Sequence, residues 1–283
     1  MKTNFNKLYE VLFISFVFLL IVFFVRSATY NFPGFSSSAG DDSAPTISAG
    51  EELKGELSEE DPEEKTSETP TILIDPGHQK DPDYTRENAA PSLNSTVYKV
   101  STGTRGVSTG VWEYELVLDV AFKLESALKD LGYQVVLTRD RHDVHITNKE
   151  RGKMAEEIGA DILVSLHADG SSITSAQGVS VLSPSFNVSY IDADRAAVSK
   201  TLSTLIVDEL AEATGARNRG VHFRNNLSIL NWSKVPSTLV EIGFMSNPEE
   251  DQKMQTDEYQ EKIARGIASG IHKYFNSTPD SEE

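Results

Sequence analysis

Two histidines close short apolar runs in this chain: Ile72-Leu73-Ile74-Asp75-Pro76-Gly77-His78 and Ile162-Leu163-Val164-Ser165-Leu166-His167. A histidine ending a hydrophobic strand is most often a hydrogen-bonded edge residue. Two of them on one edge of one sheet make metal ligation an equal reading, because neutral imidazole binds zinc well. A third candidate comes from the helix expected over 113–130. There Val117, Val120, Ala121, Leu124, Leu128 and Leu131 form one apolar stripe. At about 100° per residue Glu113 falls in line with that stripe, whereas Glu115 points to the opposite side. A carboxylate in a first helical turn ordinarily offsets the helix dipole, but one aimed inward calls for a partner cation. The fourth candidate is Glu241, inside Ser237-Thr238-Leu239-Val240-Glu241-Ile242-Gly243-Phe244. A carboxylate in an apolar strand is costly to bury unless paired, coordinated or protonated, with an exposed edge strand as the plain alternative. In a pocket its pKa would rise, which suits general acid–base work. Two histidines and a glutamate match the open site of a catalytic zinc ion, which lowers the pKa of a bound water to about 7 and polarises a carbonyl. A further carboxylate can then carry the proton to a leaving nitrogen. No His-Glu-x-x-His pattern occurs, which excludes the common helix-borne zinc proteases.

Such a site needs a rigid frame, and the periodicity supplies one. The spacing predicts strands at 71–75, 133–138, 161–167, 178–182 and 237–244, with a weaker one at 227–230. Helices are expected at 113–130, from the capping box of Thr147 and Glu150 to Ile158, at 192–213 and at 257–275. Residues 79–110 read as a long polar stretch. Strands alternating with long helices indicate an α/β fold, a single open, mostly parallel sheet with helices on both faces. In such sheets the reactive groups collect beyond the carboxyl ends of the strands.

The chain has 283 residues, 39% hydrophobic and 24% charged, with no cysteine. Disulfides, thiol catalysis and Cys-ligated zinc are thereby excluded. The net charge of −17 argues against nucleic acid as a partner. The charge is uneven. Residues 1–26 are net positive and carry an uncharged run from Val11 to Val25, which reads as a signal anchor crossing the membrane once, N-terminus inside. A cleaved signal peptide ending near Ala28, releasing a secreted protein, is the competing reading. Residues 27–69 are rich in Ser, Gly, Pro and acids and read as a disordered acidic linker. Residues 70–276 form the expected catalytic domain, followed by an acidic tail, 277–283.

Four blocks carry a resemblance. Asp75-Pro76-Gly77-His78, Glu113-Tyr114-Glu115-Leu116-Val117-Leu118, Ser165-Leu166-His167-Ala168-Asp169 and Val240-Glu241-Ile242-Gly243-Phe244-Met245-Ser246-Asn247 resemble, in order, those of the zinc-dependent N-acetylmuramoyl-L-alanine amidases. The resemblance implies a peptidoglycan hydrolase that cuts the amide between muramic acid and the first L-alanine of the stem peptide. It implies one catalytic Zn2+ ion on His78, Glu113 and His167, with Glu241 as the catalytic carboxylate. Where many members follow the first histidine with Gly-Gly, this chain has Gln79-Lys80 and a longer polar insert, which could reshape the substrate groove. A zinc carboxypeptidase acting on wall peptides, or a non-catalytic wall-binding protein of the same fold, are the alternatives. His142, His145 and His222 are expected in loops, and His272 near a helix end where a cation suits the dipole. Arg139, closing a strand, is expected to hold a peptide carboxylate or a structural acid.

Overall fold

Ile72, Leu73 and Ile74 have no exposed surface, as a strand covered on both faces requires. They belong to β1 (Thr71–Pro76), the first strand of the structure, a computed structural model that describes residues 69–277. The apolar segment 1–26, most of the acidic stretch 27–69 and residues 278–283 lie outside the described residues. Among the described residues no helix is long and apolar enough to cross a membrane. After β1 come β2 (Asp83–Asn88), β3 (Thr96–Val100), α1 (Glu113–Asp130), β4 (Gln134–Leu137), α2 (Asn148–Glu157) and β5 (Ile162–Asp169). Then follow β6 (Val179–Pro184), α3 (Ala193–Thr214), β7 (Asn218–Arg224), α4 (Ser228–Trp232), β8 (Ser237–Phe244), α5 (Pro248–Met254) and α6 (Asp257–Ser277).

Six strands form one sheet in the order β4-β1-β5-β8-β6-β7. Every neighbouring pair is parallel except β6 and β8, so the mostly parallel sheet is as expected from the sequence. Its two faces are read directly from the alternation of side chains. Ile72, Ile74, Ile162, Val164, Leu166, Val240 and Ile242 share a core with α1, α3 and α6. Leu73, Leu163 and Leu239 pack on the other face with Ala155 of α2 and Ile229 and Leu230 of α4. The α1 stripe of Val117, Val120, Ala121, Leu124 and Leu128 is fully buried, which fixes the rotation of that helix. α3 and α6 approach closely because Gly266 and Gly270 carry no side chain. A Cβ at Gly270 would lie 2.5 Å from the Ile206 Cα.

The structure departs from the sequence reading in three places. The run 227–230 is not a strand; Ser228–Trp232 is the short helix α4. A short apolar run has no periodicity with which to choose between the two. The polar stretch 79–110 contains a two-stranded hairpin, β2–β3. His222 lies on edge strand β7 and not in a loop.

One buried ion pair ties the frame together. Asp75 at the end of β1 is reached by Arg151 Nη1 of α2 at 2.7 Å. The hydroxyls of Thr138 and Ser165 donate to it at 2.6 and 2.7 Å. Burial opposes its ionisation, but Arg151 and the two hydroxyls outweigh this and lower its pKa to about 2. A carboxyl with a depressed folded-state pKa contributes stability above its unfolded value, and that stability is lost as pH falls through the folded one. From 3.8 down to about 2 this amounts to about 2 kcal/mol. Urea unfolding across pH 2–6 is therefore expected to show a steep acid limb that Asp75→Asn flattens. Parallel curves for parent and variant would remove the pair from this role.

Candidate metal centre

β1 and β5 are adjacent and parallel, with Pro76 opposite Leu166. The Gly77 amide donates to the Leu166 carbonyl at 2.9 Å, so the residue that follows, His78, emerges beside His167. The turn there is tight: His78 adopts φ 58°, a left-handed conformation that non-glycine residues rarely take. Two buried guanidinium groups hold it. Arg151 donates to the carbonyls of Pro76 and His78, both at 2.9 Å, and to Gln79 Oε1 at 3.1 Å. Arg139 donates to the carbonyls of Pro76, Gly77 and Tyr114 at 2.8, 2.9 and 2.8 Å. The expectation that Arg139 meets a carboxylate is thus corrected, because its donors are taken by backbone carbonyls. Through Tyr114 it also fastens the first turn of α1 to the His78 loop. Burial and the neighbouring Arg151 lower its pKa to about 10, which leaves it charged at neutral pH.

Glu113 is the first residue of α1, and its direction is fixed from both ends. Its amide donates to the Thr104 carbonyl at 2.9 Å. Its Oε2 accepts from the Thr104 amide at 2.6 Å and its Oε1 from the Ala168 amide at 3.1 Å. Oε1 also faces both imidazoles, His167 Nδ1 at 2.9 Å and His78 Nε2 at 3.2 Å. Glu115, by contrast, turns back and accepts from the Trp112 amide at 2.9 Å, capping the start of the helix. The His78 Nδ1–H donates to the Ser101 carbonyl at 2.9 Å, which leaves Nε2 for the centre. Two glycines leave room for the rings. A Cβ at Gly77 would lie 2.4 Å from His167 Nε2, and one at Gly103 would lie 2.8 Å from Glu113 Oε2.

The electrostatics agree with the geometry. Burial pushes the Glu113 carboxyl up, but His78 and His167 outweigh it and hold the group well below the usual carboxylate range. Burial pushes His78 down, and Glu113 outweighs it, so its pKa is raised. An ionised carboxylate and two imidazoles thus converge from three elements, with ligand atoms all within 4.8 Å of one another. Two nitrogens and a carboxylate oxygen are the donor set of an open catalytic zinc site, and the residues present fit that ion.

Glu241 sits on β8, directly across from His167 on β5 and Ser180 on β6. The exposed-edge reading therefore falls, since β8 is flanked on both sides. The residue is half-buried, yet its Oε2 is enclosed and has no hydrogen-bond partner. Burial, with the charges of Glu113 and Asp169 behind it, pushes its pKa well above the carboxylate range. Glu241, His78, Glu113 and His167 line one open cavity of ≈ 400 Å³, together with Tyr84 and Asp169. The other histidines stay outside it: His142 packs against Tyr114 with ring centroids 5.3 Å apart, and His272 Nδ1 bonds the Tyr133 hydroxyl at 2.9 Å. Sequence reasoning missed Arg151 and Asp169. The readable signal for Arg151 was its place four residues before the buried Ala155, on the inner face of α2.

Known proteins place this arrangement in a family. Residues 72–273 match the family model described as N-acetylmuramoyl-L-alanine amidase. The amidase LytC of Bacillus subtilis is 30% identical over 205 residues, which are 72% of this chain and 35% of LytC. The crystal structure of an N-acetylmuramoyl-L-alanine amidase from Clostridium difficile 630 is 28% identical. It superimposes with a TM-score of 0.62 over 75% of this chain and 100% of that one. The amidase Ami1 of Mycobacterium smegmatis, 26% identical, gives a TM-score of 0.66 over 74% of this chain and 97% of its own. Residues 72–273 thus carry both the fold and the three converging side chains, and the chain belongs to the N-acetylmuramoyl-L-alanine amidase family of amide hydrolases.

Proposed function

We propose that this chain is an exported peptidoglycan amidase that hydrolyses the amide joining the lactyl group of N-acetylmuramic acid to the L-alanine of the stem peptide. His78, Glu113 and His167 hold one zinc ion, and Glu241 is the general acid–base. The observation that carries the reading is the pairing, in one cavity, of three converging ligands with a carboxylate whose Oε2 lacks a partner. Zinc held there supplies Lewis acidity toward a water and toward the amide carbonyl. The chain's own residues do the rest. The Glu241 carboxylate accepts a proton from the attacking water as the new C–O bond forms. It then returns that proton to the amide nitrogen as the C–N bond breaks, and the second proton of the water passes from the new lactyl carboxyl to the released amine, leaving a carboxylate and the ammonium of L-alanine. Burial and the nearby carboxylates raise the Glu241 pKa, the direction that suits a group which must both take up and give back a proton. Ser101 fixes the His78 tautomer, and Arg139 and Arg151 hold the loop that carries it.

The charge pattern supports a membrane location. Residues 1–26 are proposed as a single-pass signal anchor, 27–69 as an acidic tether, 70–276 as the catalytic domain on the extracytoplasmic side, and 277–283 as a tail. Mass spectrometry of muropeptides digested by the full-length protein tests the reaction. Release of stem peptides with a free L-alanine amine is expected. A new carboxyl terminus inside the stem would favour a zinc carboxypeptidase, and binding without product a wall-binding protein.

A further inference from the structure

The hairpin β2–β3 is the part of the chain that the proposed reaction leaves unused. A two-stranded hairpin is marginal alone, and this one is held from behind. Trp232 Nε1 donates to the Asn88 carbonyl and Asn231 Nδ2 to the Ala89 carbonyl, both at 2.9 Å. Glu87 Oε1 accepts from the Lys149 amide at 3.0 Å. These anchors leave the other face of the hairpin in solvent, and that face is aromatic. Tyr84 and Tyr98 meet edge to face, with centroids 5.4 Å apart, and are 52% and 51% exposed. The Tyr84 hydroxyl is bonded to Thr102 Oγ1, which fixes the ring. Tyr84 also lines the cavity that holds the three ligands and Glu241.

The long polar side chains of the hairpin bond mainly within it. Arg86 lies over the Tyr98 ring at 5.2 Å, and its donors go to Thr96 Oγ1 and the Thr96 carbonyl at 2.7 and 2.5 Å. Lys99 pairs with Asp83 at 3.4 Å. What remains free is a pair of rigid rings with apolar faces and polar tips. That surface suits a neutral ring with an apolar C–H face and a hydroxyl rim. We propose that Tyr84 and Tyr98 form a sugar subsite, Tyr84 stacking on the muramic acid ring and Tyr98, set at 82° to it, meeting the edge of that sugar, while its lactyl amide lies over the ligand cluster. The inference rests on the amidase reading, because that reaction puts a pyranose next to the scissile bond.

Two substrates separate the sugar from the peptide: an N-acetylmuramoyl peptide and the matching N-lactyl peptide, which keeps the same amide but has no sugar. Tyr84→Ala and Tyr98→Ala are expected to lower kcat/KM on the first by roughly five- to tenfold more than on the second, mainly through KM. Tyr84→Phe and Tyr98→Phe, which keep the stacking faces, are expected to restore the ratio. Equal losses on both substrates would overturn the subsite. A second readout needs no turnover. The neutral disaccharide of N-acetylglucosamine, titrated into the metal-free parent, should shift the NMR signals of the two tyrosine rings. No ring shift at saturating disaccharide would overturn the proposal. Ring shifts in a parent that cleaves neither substrate would keep the sugar subsite and remove the amidase reading.

Discussion

Glu241→Gln is expected to lower turnover by about 10²–10⁴-fold, the range for losing general acid–base catalysis, while zinc stays at one ion per chain. The amide keeps the size and reach of the carboxyl but cannot take up a proton. Its effect on folding is expected to be small, because Oε2 has no hydrogen-bond partner to lose and an uncharged amide removes the like-charge repulsion from Glu113 and Asp169. Binding of wall fragments should persist. Elemental analysis and turnover on one preparation check both halves. Zinc loss would make Glu241 a fourth ligand, and near-parent turnover would make it a structural acid.

The second large effect belongs to the ligands. Replacing His78, Glu113 or His167 by Ala takes one donor from a set of three that already leaves a position open. Zinc affinity should fall by more than the roughly 10–100-fold that loss of an outer-shell partner produces. Chelation should abolish activity in the parent and zinc should restore it. Glu115→Ala is the control on the same helix turn. It removes the capping bond to the Trp112 amide, costs about 1 kcal/mol of stability, and should leave zinc in place. Zinc loss in Glu115→Ala with retention in Glu113→Ala would contradict the geometry of α1.

These residues were legible for a physical reason. A strand buried on both faces has an unmistakable apolar run, and polar residues soon after it mark its end, as in Asp75-Pro76-Gly77-His78 and at His167. A helix rotates by a fixed angle per residue, so the apolar stripe of α1 also gives the direction of Glu113. What stayed hidden lacks such a rule. The hairpin strands are short, largely polar and only partly buried, so no clear alternation marks them. Edge strand β7, Asn218–Arg224, is exposed along most of its length for the same reason. The grip of Arg139 and Arg151 on the His78 loop was illegible because the carbonyls they bind there, of Pro76, Gly77 and His78, lie more than sixty residues away. No property of residue type announces a carbonyl that a turn has turned inward.

The central claim is that one zinc ion is held by His78, Glu113 and His167 at the end of β1 and β5. Anomalous diffraction at the zinc edge, from crystals of the zinc-loaded protein, tests it most directly. The predicted result is a single strong peak bonded to the two imidazoles and the Glu113 carboxylate at about 2.0–2.2 Å. A fully loaded crystal whose zinc lies elsewhere, or whose zinc is bound without one of these three side chains, would contradict the account.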